Sequence, residues 1–361
     1  MKFQFIAQHL QQYVFQYCCL RDLVNLSLVC KGFQAEVDQT INFIFLLLAQ
    51  RNFPDCQVGC INQSCKNLSN LTKDIIIVAC GTSVYALQLS TLTWQKYPNC
   101  LLTHIGMSME VYHGEIYMIS TKSELNMGSV ESYCPLTRQW TRRASLPNTI
   151  SQVGTAVLNG VLYSIGGIDK ESKNNNQIYT LDNNTNSSIS WNSISNENSR
   201  ELTSCKACSY KDQIWIAPDN TPNQIQIYNP IRNAFSLGPN FKSFWSAPKL
   251  IVVLNRLYII AWWWPSAYNI LRHNETENSW QYIESFTGEA DCPIAVYHSK
   301  IYIFGLRNEL NHKWDAYDVR SRKWLSSEVT SLSNTIDWNM PEDLQRFGAA
   351  CTYEGSKLLW I

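Results

Sequence analysis

The stretch Asn159-Gly160-Val161-Leu162-Tyr163-Ser164-Ile165-Gly166-Gly167 reads as a two-residue turn followed by a short apolar strand that ends on a glycine pair. Asn-Gly between such runs is a strong hairpin signal, because both turn residues must adopt positive φ. The same phrase returns along the chain: EIYMIS at 115–120 after His113-Gly114, QIWIAP at 213–218, RLYIIA at 256–261, and KIYIFG at 300–305 after His298-Ser299. Within it, Tyr117, Tyr163, Trp215, Tyr258 and Tyr302 fall 46, 52, 43 and 44 residues apart. A second series keeps step: Trp94, Trp140, Trp191, Phe235, Trp280 and Trp324 are 46, 51, 44, 45 and 44 residues apart. Two series in step mean one repeated unit.

Each unit carries four short runs of strand character. A variable loop follows the quoted phrase, then a third strand such as SVESYCPLTRQW (129–140), QIQIYNPIRNAF (224–235) or WDAYDVRSRKW (314–324), then an edge strand after the aromatic. One four-stranded sheet cannot bury both of its faces, so neighbouring units must do it, and the pattern predicts a mainly-β propeller. The recurring aromatics are then bulky packing between blades rather than a cofactor box. Five units look complete, from about 104, 150, 202, 245 and 290. The first (DIIIVACG, VYALQLS, TWQKY) lacks the strand that should precede Asp74, and RFGAACTY at 346–353 reads as that strand. Its return would close the ring at six blades and leave no open sheet edge. The remaining SKLLWI, 356–361, keeps a truncated seventh blade as the alternative.

These units resemble the kelch repeat. A Tyr seven residues before the Trp, often followed by Asp-Pro, survives as Tyr133 with Pro135, Tyr228 with Pro230, and Tyr317 with Asp318. The glycine pair is intact only at Gly166-Gly167 and is replaced by Cys80-Gly81, Ile119-Ser120, Ala217-Pro218, Ala261-Trp262 and Gly305-Leu306 elsewhere. The resemblance, to divergent kelch repeats, covers residues 74–355.

Composition excludes several functions. The 361 residues balance 29 Lys+Arg against 29 Asp+Glu with a pI near 7 and no basic stripe, which argues against nucleic acid as a partner. The longest apolar run, INFIFLLLA at 41–49, is about half of what a bilayer span needs, and no signal peptide is legible. A cytoplasmic or nuclear protein without a membrane partner is expected. Its 13 cysteines are expected as mostly buried free thiols. Cys56, Cys60 and Cys65, and the CxxC of Cys205 and Cys208, lack the second half of a zinc site, so no metal is expected. Asn-x-Ser/Thr triplets at Asn67, Asn70, Asn183 and Asn274 are coincidental in a chain this rich in Asn and Ser. Histidines 9, 104, 113, 273, 298 and 312 show no His-x-x-x-His spacing, and no glycine-rich phosphate loop is present. No catalytic residue and no cofactor are therefore assigned.

Residues 1–53 differ in character. Ile6, Leu10 and Val14 recur every four positions, and Leu23, Leu26, Cys30 and Phe33 follow at steps of three, four and three, which are helical faces. A third apolar segment runs from about 38 to 50, so three short helices precede Pro54. The second half resembles the F-box: Leu20-Arg21-Asp22-Leu23, then Leu26-Ser27-Leu28-Val29-Cys30-Lys31, then Phe33, with LLLAQRNFP (46–54) like the helix that leads out of many F-boxes. The family's early Leu-Pro falls on Ile6-Ala7, without the proline. This resemblance implies that Ile6, Leu10, Val14, Leu20, Leu23, Leu26, Val29, Cys30 and Phe33 form or support a surface for a Skp-type adaptor, which links to a cullin-RING ubiquitin ligase. The alternative is that the helices only cap the ring, since so short a segment has trouble burying its own apolar surface. The expected organisation is an F-box-like helical domain at 1–53, a linker at 54–73 and the propeller at 74–361.

Loops between second and third strands project together on one propeller face, and they vary as a binding face would: STKSELNMGS, IDKESKNNNQ, PDNTPN, WWWPSA and GLRNELNH. Trp262, Trp263 and Trp264 are candidate substrate contacts beside Lys170, Arg307 and Glu309. Strand alternation sets Trp262 and Trp264 on one face and Trp263 on the other. Equally, two of the three would fill gaps between blades. Together these readings imply a non-enzymatic substrate receptor of a ubiquitin ligase. The runner-up is a stand-alone kelch scaffold or cytoskeletal protein; an adaptor of the BTB type has no room for its BTB domain.

Overall fold

The computed structural model describes residues 74–354 apart from 105–106, 120–127, 136, 148–149, 172, 182–189, 195–201, 203, 219–223, 242–244, 264–266, 289–290, 307–312, 329–335, 337, 342–343 and 345–348. They form six four-stranded sheets, every neighbouring pair antiparallel. The first holds β1 (Asp74–Cys80), β2 (Ser83–Gln88) and β3 (Thr93–Tyr97); the second β4 (Ser108–Tyr112), β5 (Glu115–Ile119), β6 (Val130–Cys134) and β7 (Gln139–Arg143). The third holds β8 (Gly154–Leu158), β9 (Val161–Ile165), β10 (Ile178–Leu181) and β11 (Trp191–Ile194); the fourth β12 (Cys205–Tyr210), β13 (Gln213–Pro218), β14 (Gln224–Asn229) and β15 (Ala234–Asn240). The fifth holds β16 (Trp245–Val253), β17 (Arg256–Trp263), β18 (Ala267–Asn274) and β19 (Ser279–Thr287); the sixth β20 (Ile294–Tyr297), β21 (Lys300–Phe304), β22 (Trp314–Asp318) and β23 (Lys323–Trp324).

The first sheet is completed from the far end of the chain. β24 (Ala349–Glu354) pairs with β1 from Asp74 opposite Glu354 to Ala79 opposite Ala349. The innermost strands β24, β4, β8, β12, β16 and β20 each neighbour the next, and β20 returns to β24. The ring therefore closes at six blades, with the strand that the sequence places at RFGAACTY; residues 356–361 lie outside the described residues.

Local chemistry explains the hairpins. His113-Gly114 (φ 46° and 75°) and Asn159-Gly160 (φ 51° and 74°) make the positive-φ turns whose twist matches the flanking strands. Lys211-Asp212 (φ 49° and 56°) and Leu254-Asn255 (φ 50° and 56°) do the same without glycine, at the strain that left-handed backbone imposes on bulky residues. At the glycine pair the constraint is contact as well as φ: a Cβ on Gly166 would lie 2.0 Å from the Leu202 carbonyl oxygen, and one on Gly167 2.5 Å from that of Ser151.

Apolar side chains collect into clusters along the seams between blades, each holding one of the six recurring aromatics. Trp94 meets Phe304 and Trp314 of the sixth blade edge-on at 5.7 and 6.5 Å. Trp140 tilts against Tyr133 at 5.2 Å, and its indole N–H donates to the Pro98 carbonyl at 2.8 Å. Trp191 repeats the device with the Ala144 carbonyl, also at 2.8 Å. Each of these two indoles thus fills a seam and ties down the link that enters its own blade. The sixth blade departs from the pattern, because β23 stops after two residues and α1 (Leu325–Glu328) follows. Asp315 accounts for it, accepting Ser326 Oγ–H at 2.5 Å and Ser326 N–H at 3.2 Å.

Trp140→Ala empties a seam position that is only 8% exposed, and is expected to cost about 3–5 kcal/mol in urea unfolding. Ile231→Ala, at a turn residue 84% exposed, is expected to stay within about 0.5 kcal/mol.

Candidate functional site

The inner strands leave a cavity of about 180 Å³ at the middle of the ring, and every blade contributes to its wall. Ser108 and Glu110 come from β4, Thr155 from β8, Lys206 from β12, Lys249 from β16, Asp291 and Pro293 from the entry to β20, and Ala349 and Ala350 from β24. In most blades these are the opening residues of the inner strand. By antiparallel pairing, that is the end from which the loops between second and third strands leave.

Burial governs the charges here. Glu110 Oε1 accepts Thr155 Oγ1–H at 3.0 Å, yet desolvation pushes its carboxyl up to about 7. Lys249 Nζ donates to the Asp291 carbonyl at 3.3 Å and to the Cys292 carbonyl, and desolvation holds its pKa below the usual lysine value. The Cys208 and Cys351 thiols are raised by burial and secondarily by Glu110. A thiol held protonated is no nucleophile, and among the described residues that line the cavity there is no histidine. The arrangement suits binding.

The loop face expected from sequence is described in part. Lys170 is exposed on a loop that is well pinned: Asp169 Oδ1 accepts the N–H groups of Glu171 and Lys173, both at 2.9 Å, and Asn175 Nδ2–H donates to the Gly166 carbonyl at 2.8 Å. The WWWPSA loop is shorter than expected, because β17 runs through Trp263, with Trp262 opposite Tyr268 and Trp263 opposite Ala267. Trp262 packs, half-buried, against the cluster between the fifth and sixth blades. It therefore lies two blades away from Lys170 around the ring. Trp264, Arg307 and Glu309 lie outside the described residues, as do Ile6, Leu10, Val14, Leu20, Leu23, Leu26, Val29, Cys30 and Phe33.

Two features escaped the sequence reading. Glu110, Lys206 and Lys249 interrupt inner strands that are otherwise largely apolar or small, and that mismatch was the available signal for the cavity. Cys100, His104 and Glu131 meet in a buried group whose ligand atoms all lie within 4.8 Å of one another. Cys100 and His104 stand four apart on the link between the first two blades, but Glu131 is supplied by β6, which linear spacing does not reveal. Among the described residues, no helix is long and apolar enough to cross a membrane.

Comparison with known proteins bears on the segment before the ring. Residues 8–44 match the family model of the F-box domain. The chain is a six-bladed, mainly-β propeller preceded by an F-box region. Kelch-like ECH-associated protein 1A of Danio rerio is 29% identical over 87 residues, which cover 23% of this chain and 14% of that protein's length. That likeness is consistent with a kelch-type propeller. An F-box joined to a propeller is an architecture typical of non-catalytic adaptors that act through protein–protein contacts.

Glu110 also gives the cavity a pH signature. Its folded pKa lies above the ordinary 4.5, so its contribution to stability is fully present below about pH 4.5 and is lost as pH rises through about 7. Glu110→Gln is expected to change little at pH 4.5 and to stabilise the protein by roughly 1–3 kcal/mol at pH 8, read as a shift in urea midpoint.

Proposed function

We propose that this protein is the substrate-recognition subunit of an SCF-type cullin-RING ubiquitin ligase. The observation that carries the reading is the F-box match at residues 8–44, placed ahead of a propeller with a polar central cavity and a loop face. In this reading the N-terminal helices hold a Skp-type adaptor through Ile6, Leu10, Val14, Leu20, Leu23, Leu26, Val29, Cys30 and Phe33. Residues 54–73 connect that module to the ring. The propeller selects a protein substrate on the face that carries Lys170, with Trp262, Trp263, Trp264, Arg307 and Glu309 on or beside it.

Physically, the subunit works by effective concentration. Holding cargo next to the ligase converts a bimolecular encounter into a near-intramolecular step, and ubiquitin transfer belongs to other subunits. The kelch character of the blades and the likeness to a kelch-like protein support the substrate arm. The balanced charge favours a folded protein as cargo over a polyanion.

The full-length chain is expected to capture purified Skp-type adaptor, and Leu23→Asp or Val29→Asp to abolish capture while the propeller's cooperative unfolding is unchanged. A carboxylate forced into an apolar contact costs several kcal/mol, enough to lose binding. Loss of stability across the whole chain would instead mark the helices as a cap on the ring, and absence of capture by folded wild-type protein would sink the ligase reading.

A further inference from the structure

The Cys100, His104 and Glu131 group does not line the cavity; it lies where the link between the first two blades meets the third strand of the second, at the end of the blades from which the loops between second and third strands leave. Cys100 and His104 sit on that link and Glu131 on β6. All three are buried: His104 and Glu131 are 0% exposed and Cys100 5%. His104 Nε2 is 3.1 Å from Glu131 Oε2. The backbone holds them there, since His104 exchanges N–H···O bonds with Gly81, both at 2.9 Å, and Glu131 Oε2 accepts the N–H groups of Leu101 and Leu102 at 3.1 and 3.3 Å.

Hydrogen bonding accounts for only part of this group. Glu131 Oε1 and His104 Nδ1 are buried without a hydrogen-bond partner. A buried carboxylate oxygen and a buried imidazole nitrogen left without partners in a seam cost several kcal/mol. Asp315, at the equivalent position of the sixth blade, needs no such help: Ser326 serves both of its oxygens and Ala316 N–H adds a third bond.

We propose that Cys100, His104 and Glu131 bind a zinc-type divalent cation that staples the first inter-blade link to the second blade. The donor set of thiolate sulfur, imidazole nitrogen and carboxylate oxygen is that of borderline-soft tetrahedral sites. Bonds of about 2.0–2.3 Å bring tetrahedral ligands to about 3.3–3.7 Å of one another, and ligand atoms that all lie within 4.8 Å of one another reach that spacing by side-chain rotation, which also turns the unserved oxygen and nitrogen toward the ion. A fourth position falls to a backbone carbonyl: the oxygens of Leu102 and Gly81 lie 3.1 and 3.4 Å from Cys100 Sγ. The charge balances, because the dication, the Glu131 carboxylate and the Cys100 thiolate sum to zero around a neutral imidazole. Without metal, burial and the neighbouring Glu131 push the thiol up to about 12, so binding expels the thiol proton to solvent. The role is structural.

The test uses the full chain, purified from zinc-supplemented culture and then exchanged with Co²⁺. Elemental analysis is expected to find about one zinc per chain at this site. The cobalt form is expected to show thiolate charge transfer and the intense ligand-field bands of four-coordinate cobalt. Both signals are expected to fall at least tenfold in a Cys100→Ser, His104→Gln double variant, and chelation of the wild type to lower its melting temperature. Glu131→Gln keeps the shape and an acceptor oxygen for the link, and is expected to weaken zinc at least tenfold with the ring still folded. A cooperatively folded wild type without zinc overturns the proposal. So does stoichiometric metal retained by the double variant, which would place the ion elsewhere, as at Cys56, Cys60 and Cys65.

Discussion

Six backbone pairings, Asp74 with Glu354 through Ala79 with Ala349, hold the ring shut, and the rest of the architecture depends on them. Each blade is a twisted sheet whose two faces are apolar, and it is stable only while both neighbours cover it. An open array would leave two such faces in water and one sheet edge unpaired. Closure removes both faults at once. It also fixes the number of blades, because a ring has room for the seams only at one count. β1 is apolar along nearly its whole length, with Ile75, Ile76, Ile77, Val78 and Ala79 all buried, as befits a strand with a seam on each side and a partner on each edge.

Within that frame the polar residues are placed by register rather than by sequence motif. Glu131, Gln226 and Asp315 all stand two residues before the recurring tyrosines Tyr133, Tyr228 and Tyr317, and all three are buried. The position faces the incoming link or the outgoing edge, where unpaired backbone N–H groups need an acceptor. Glu131 serves Leu101 and Leu102, and Asp315 serves Ser326. One register position thus carries a repeated structural task, and the chemistry added to it differs from blade to blade.

Much of the fold was legible because repetition multiplies a weak signal. A single Asn159-Gly160 predicts one hairpin, whereas two aromatic series in step predict the blade, its seams and its period. The closing strand was legible too, as the missing partner of Asp74–Cys80. Sites were less so. Glu110, Lys206 and Lys249 come from three blades and meet only through the ring, and no local pattern records the meeting. Trp262 shows an ambiguity that sequence leaves open: three tryptophans before a proline read equally as an exposed loop or as packing between blades, and β17 extends through Trp263 and sets Trp262, half-buried, against a seam cluster. Aromatic mass in a propeller is drawn to seams, where it buries the most surface.

Closure by a distant strand also sets the order in which the protein can be made. At the usual pace of about 5–20 residues per second, the ribosome needs roughly a quarter of a minute to a minute to travel from Cys80 to Ala349. For that interval β1 has one edge without its strand, and the first and last blades each lack a neighbour. The F-box region emerges before any of this is resolved. A nascent chain is therefore sticky at its first blade for as long as the other blades take to appear, and its most hydrophobic strand is the one kept waiting longest.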